Sequence, residues 1–86
     1  DVEAAQEMSE EDRKAMISGM VAGLAERLTN EGGSAEEWAR LIRAYGVLGE
    51  TAKASAAWQS AREAYADDAG AMAVLLEAAR AAEVAN

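Results

Sequence analysis

Apolar residues recur at three- and four-residue steps along four stretches of the chain, the spacing of one side of an α-helix. The first stretch carries Met16, Ile17, Met20, Val21, Leu24 and Leu28, and the second carries Trp38, Leu41, Ile42, Tyr45 and Leu48. The third, from about Thr51 to about Tyr65, carries Ala54, Ala57, Trp58, Ala61 and Tyr65. The fourth, from about Gly70 to about Ala82, carries Met72, Leu75, Leu76 and Ala79. Since the chain has no Pro and is rich in helix-forming residues, the predicted fold class is all-α.

Polar segments between the stretches supply the signals that begin and end helices. Ser9 opens a segment similar to a capping box, so the first helix is expected to start near it. Ser34 and Glu37 form a complete capping box before the second helix, and Gly49 is expected to end that helix in a left-handed conformation. An aspartate in the turn at 67–70 is expected to cap the fourth helix.

The second and third helices together keep the spacing of one tetratricopeptide repeat (TPR), an antiparallel helix pair of about 34 residues. The matching positions are Trp38, Leu41, Tyr45, Ala54, Trp58 and Ala61. The same offset relates the first helix to the third and the second helix to the fourth. We therefore predict antiparallel helix pairs in a TPR-like right-handed superhelical stack of about four helices. A half repeat is expected at 9–30, a full repeat at 34–68 and a half repeat at 69–84.

A single domain is expected to span residues 9–86, because a chain of 86 residues supports one modest core. Residues 1–8 lack a clear apolar stripe and are expected to be frayed. The expected core positions are Met20, Leu24, Trp38, Leu41, Tyr45, Ala54, Trp58, Ala61 and Leu75. Gly19 and Gly23 leave two interpretations open, which are close approach by another helix or peptide and simple tolerance of glycine at the surface.

The composition argues against an enzyme, a metal centre or a cofactor. The chain has no Cys and no His, which removes thiolate and imidazole ligands as well as the corresponding nucleophiles and bases. The paired acids at 10–11, 36–37 and 67–68 stand at helix starts, where carboxylates suit the helix dipole. A formal net charge of −8 would repel phosphates, so nucleic acid is not an expected partner. We therefore expect no catalytic residue, no metal and no cofactor.

A groove for another polypeptide is the functional feature expected of such a stack. The side of the second helix opposite its buried stripe, and the corresponding side of the fourth helix, are predicted to line it. The predicted lining residues are Glu36, Ala39, Arg43, Gly46, Val47, Gly70, Ala73, Glu77, Arg80 and Ala81. The small residues would leave room for a guest helix, and Arg43 and Arg80 would meet a carboxylate, including a chain terminus. The alternative is that both arginines pair with neighbouring acids of the chain.

Two segments of the chain resemble the CcmI/CycH family of bacterial c-type cytochrome biogenesis factors. Met16 to Leu28, which reads MISGMVAGLAERL, resembles the segment before the repeats in the periplasmic domain of that family. Trp38 to Trp58, which reads WARLIRAYGVLGETAKASAAW, is similar to the continuation of the family pattern. Together the similarity covers the chain from about Ser9 to about Tyr65.

This resemblance implies a cellular role. It implies an inner-membrane parent protein with this domain in the periplasm. It implies a chaperone that holds the C-terminal helix of apocytochrome c and delivers the chain to the cytochrome c maturation and haem ligation components. The implied mechanism is helix-in-groove recognition, in which the apolar side of a guest helix lies against the repeat helices.

The alternative function is an oligomerisation or scaffold domain that binds another assembly partner. In the repeat pattern the fourth helix lacks the helix that would follow it, so it is expected to expose an apolar edge. A second copy of the chain would pair at that edge. A homodimer that closes through residues 70–84 would distinguish this alternative from a peptide-binding module.

Overall fold

The computed structural model describes residues 9–85, which form four α-helices joined by short turns. The helices are α1 (Glu10–Glu31), α2 (Ala35–Leu48), α3 (Thr51–Ala64) and α4 (Ala69–Ala81). Each helix packs against the next one in the chain, and the short turns make these neighbours antiparallel. Residues 9–85 contain no strand, so the predicted all-α, TPR-like stack is confirmed. The frayed segment expected at 1–8 lies outside the described residues.

The helix α2 lies at the centre of the stack and packs against each of the other three helices. The helices α3 and α4 also pack against each other, whereas within residues 9–85 α1 contacts α2 alone. The helix α1 therefore buries only the side that faces α2.

The predicted caps are present at the starts and ends of the helices. The Ser9 hydroxyl accepts a hydrogen bond from the backbone N–H of residue 12 at 3.1 Å. At the start of α2, Ser34 and Glu37 exchange side-chain and backbone hydrogen bonds at 3.2 Å each, which is the predicted capping box. Gly49 ends α2 with φ 75° and ψ 15°, and Asp68 caps α4 by accepting from the backbone N–H of residue 71 at 3.0 Å.

Both indole rings and most of the predicted apolar positions lie in the core. Trp38 and Trp58 are buried, with Trp58 only 3% exposed. The other fully buried predicted positions are Leu41, Ala54, Ala61 and Leu75. Leu24 and Tyr45 are half-buried and pack against this core.

The prediction of a core position is wrong at Met20, which is 71% exposed. Its neighbour Val21 is buried instead, together with Leu28 on the same helix. Successive helical residues differ in direction by about 100°, so when Val21 faces α2, Met20 is turned away from it. The apolar residues of α1 cover two sides of the helix. Within residues 9–85 only the side with Val21 and Leu28 packs against another helix, which is α2.

One ion pair ties α1 to the start of α2 and lowers a pKa. Arg27 pairs with Glu37, and the pKa of Glu37 lies below its usual 4.5, first because Arg27 donates a hydrogen bond to the carboxylate and then because the Ser34 N–H donates another. A carboxyl group with a lowered folded-state pKa stabilises the fold fully above its unfolded-state pKa. That contribution is lost as the pH falls through the folded-state pKa.

Replacing Arg27 by Met should move the pKa of Glu37 upwards, because the first cause of its lowering is removed. Titration of the Glu37 carboxyl carbon by NMR measures this directly. Lys14→Met, which removes a cation elsewhere on α1, serves as the control and should leave that pKa in place. Equal midpoints for Arg27→Met and the unchanged chain would refute the assignment.

Candidate functional site

The predicted groove corresponds in the structure to the outer sides of α2 and α4, here called the α2–α4 face. Its accessible members are Glu36, Arg43, Val47, Gly70, Ala73, Glu77, Arg80 and Ala81, all of them exposed. One ion pair crosses this face, from Arg43 to Glu77 at 3.8 Å. Arg80 makes no ion pair with any residue in the range 9–85. Within residues 9–85 the alternative of intramolecular pairing therefore holds for Arg43 and not for Arg80.

The remaining two predicted groove residues do not leave space for a guest. Ala39 is buried, and a Cβ placed on Gly46 would lie 2.9 Å from the Cβ of Ala82. The expectation of open room is therefore wrong at both positions. The small size of Gly46 serves its close contact with Ala82, the residue that follows α4.

Large apolar side chains are exposed on α1 and at the end of α2. Among residues 9–85 they are Met16 at 54%, Ile17 at 37%, Met20 at 71% and Val47 at 75% exposure. On α4, by contrast, Leu75, Ala78 and Ala79 are fully buried. The fourth helix keeps Met72, Val74 and Leu76 half-buried, so the more exposed apolar side chains are those of the first helix and Val47.

An apolar groove of about 350 Å³ lies between α1 and α2. It is called the α1–α2 groove and is lined by Ile17, Met20, Val21, Leu24, Arg40 and Ala44. Arg40 is the one charged residue of its lining, and it makes no ion pair within residues 9–85. Sequence analysis missed this groove, because the apolar stripe of α1 does not say whether another helix covers Met20.

A smaller hollow of about 190 Å³ lies between α1 and α3 over the central helix. Tyr45 and Trp38 of α2 form part of its floor, and Thr29, Lys53 and Ser60 give its walls a more polar character. Two features of this hollow, its size and its polar rim, make it a poorer site for an apolar side of a helix than the α1–α2 groove.

The acidic side chains of residues 9–85 include those at the starts of three helices. Within residues 9–85 no three acidic side chains come close enough to share a metal ion. The paired acids lie in the first turns of α1 and α2, and Asp68 caps α4. No helix in the described part of the chain is long and apolar enough to span a bilayer.

Comparison with known proteins identifies relatives with one shared name. The chain is 48% identical over 67 residues to the cytochrome c-type biogenesis protein CycH of Bradyrhizobium diazoefficiens, an alignment that covers 78% of this chain and 18% of the relative. It is 42% identical over 64 residues to the protein of the same name from Rhizobium meliloti, which covers 74% of this chain and 17% of that relative. The chain thus spans less than a fifth of the length of either relative. No family model and no solved structure matches it.

Proposed function

Because this chain belongs to the CcmI/CycH family of c-type cytochrome biogenesis proteins, we propose that it is a non-catalytic protein-binding module of cytochrome c maturation. Its guest is the C-terminal helix of an apocytochrome c, which the parent protein delivers to the haem ligation components. The module works in the periplasm as part of a membrane-anchored parent. Its helices form a half repeat, a full repeat and a half repeat of the tetratricopeptide type.

The observation that carries this proposal is the combination of apolar and cationic groups on the α2–α4 face. Val47 is 75% exposed and lies four residues after Arg43, so both side chains are on the same side of α2. Arg80 is exposed on the side of α4 that belongs to the same α2–α4 face. A C-terminal helix offers the complementary pair of features, which are an apolar stripe and a chain-terminal carboxylate.

Binding to this face is tested by adding an unlabelled C-terminal apocytochrome c peptide to the isotopically labelled chain. We expect amide shifts to concentrate around Arg43, Val47 and Arg80. Because an exposed ion pair contributes about 0.2–1 kcal/mol, amidation of the peptide terminus should weaken binding by up to about fivefold. Arg80→Gln should abolish this difference between the free and the amidated peptide.

The matched control is a peptide of the same composition in scrambled order, which has no apolar stripe. Shifts confined to the outer side of α3, around Gln59 and Glu63, would refute the assignment to the α2–α4 face. Equal binding by the ordered and the scrambled peptides would refute helix recognition altogether.

A further inference from the structure

We propose that the α1–α2 groove is an acceptor site for a second amphipathic helix, one that carries a carboxylate beside its apolar stripe. The groove is separate from the α2–α4 face, and this proposal holds whether or not the guest of that face is an apocytochrome c. Three features of the structure carry it, which are an internal precedent, the exposure of the groove and the chemistry of its lining.

The internal precedent comes from the 34-residue offset between the helices. Met20 and Leu24 of α1 correspond to Ala54 and Trp58 of α3, and Ala44 of α2 corresponds to Ala78 of α4. The corresponding residues Ala54, Trp58 and Ala78 are all buried, and both α3 and α4 pack against α2. Half of the six residues that line the α1–α2 groove are thus counterparts of buried residues on the two helices that pack against α2.

The groove is exposed because no helix within residues 9–85 lies over it in the way that α2 lies against α3 and α4. Within that range α1 contacts α2 alone, and Met20 is 71% exposed although the corresponding Ala54 is fully buried. A helix placed here with the relation that α2 has to α3 and α4 would cover Met20 and Leu24, whose counterparts Ala54 and Trp58 are buried. Each side chain of this size that becomes fully buried contributes about 1.5–3 kcal/mol to the free energy of binding.

The chemistry of the lining adds a preference for a negative group. Arg40 is exposed beside the apolar wall and has no ion-pair partner within residues 9–85, in a chain with 16 acidic and 8 basic residues. Arg13 lies four residues before Ile17, on the same side of α1. A guest with a carboxylate at the edge of its stripe would pair with Arg40, whereas a lysine there would meet like charge.

The test uses two helix-stabilised synthetic peptides of the length of α2, which is 14 residues. Both have one side of Leu and Ala, and the stripe is flanked by Glu in one peptide and by Lys in the other. The net charge of −8 would by itself favour the Lys peptide. Local pairing with Arg40 should reverse that order, so that the Glu peptide binds up to about fivefold more tightly in fluorescence anisotropy.

Variants of the exposed groove residues separate the contribution of the ion pair at Arg40 from that of apolar contact at Met20. Arg40→Glu should reverse the preference between the peptides, and Met20→Asp should weaken both by about tenfold or more. Lys53→Glu and Gln59→Asp, which make similar charge changes on the exposed side of α3, are the controls and should preserve both results. Tighter binding of the Lys peptide to the unchanged chain, or unchanged affinities in Met20→Asp, would overturn the proposal.

Discussion

Replacing Trp58 by Ala should remove most of the stability of the fold and melt it at moderate temperature. The ring is 3% exposed, and its neighbours on α3, Ala54 and Ala61, are fully buried and too small to close the cavity that would remain. Truncations of this kind cost about 3–5 kcal/mol, against a total stability of about 5–15 kcal/mol for a domain. The guanidinium of Arg62, 5.5 Å from the ring centre, would also lose its contact.

Thermal melts followed by circular dichroism measure this effect, with Gln59→Ala as the matched control on the exposed side of the same helix. A third variant, Trp58→Phe, refines the interpretation. The indole N–H of Trp58 is buried and has no hydrogen-bond partner within residues 9–85, so Phe removes a costly polar group along with some volume. We expect Phe to retain much more stability than Ala. A melt of Trp58→Ala that coincides with the control would contradict this account of the core.

Replacing Gly46 by Leu should destabilise the chain by forcing α2 and α4 apart. A Cβ at this position would lie 2.9 Å from the Cβ and 3.0 Å from the Cα of Ala82. Overpacking a tight contact costs about 1–3 kcal/mol, which outweighs the gain of about 1 kcal/mol for removing a glycine from a helix. Denaturant unfolding measures the net loss.

Gly23→Ala is the matched control for this contact, and its effect should have the opposite sign. A Cβ on Gly23 would meet no atom within 4 Å, so only the helical preference of alanine remains. We expect stabilisation by about 0.5–1 kcal/mol. The open space around Gly19 and Gly23 shows that no side chain of residues 9–85 packs closely against either glycine. Stabilisation by Gly46→Leu would contradict the close packing of α2 on α4.

The local features of this fold were predictable because they depend on residues close together in the chain. The capping box of Ser34 and Glu37 and the left-handed Gly49 each follow from a few neighbouring residues. The burial of Trp38 and Trp58 follows from a repeat pattern that specifies which sides of two helices meet.

The features that depend on which helices are present as neighbours were harder to predict. The stripe of α1 indicates an apolar side without saying whether a helix covers it, so Met20 was placed in the core although it is exposed. Gly46 has the small size expected both of an open groove and of a tight helix contact, and only the position of Ala82 distinguishes them. The Arg27–Glu37 pair joins residues of different helices and left no signal in the spacing.

The binding role of the α2–α4 face is tested most directly by isotope-filtered NMR on the chain with a C-terminal apocytochrome c peptide. This experiment detects hydrogen pairs closer than about 5 Å, the scale of direct side-chain contact. The account predicts contacts between the apolar side of the peptide and the methyl groups of Val47, with the peptide terminus beside Arg80. Contacts made solely to the outer side of α3 would contradict it.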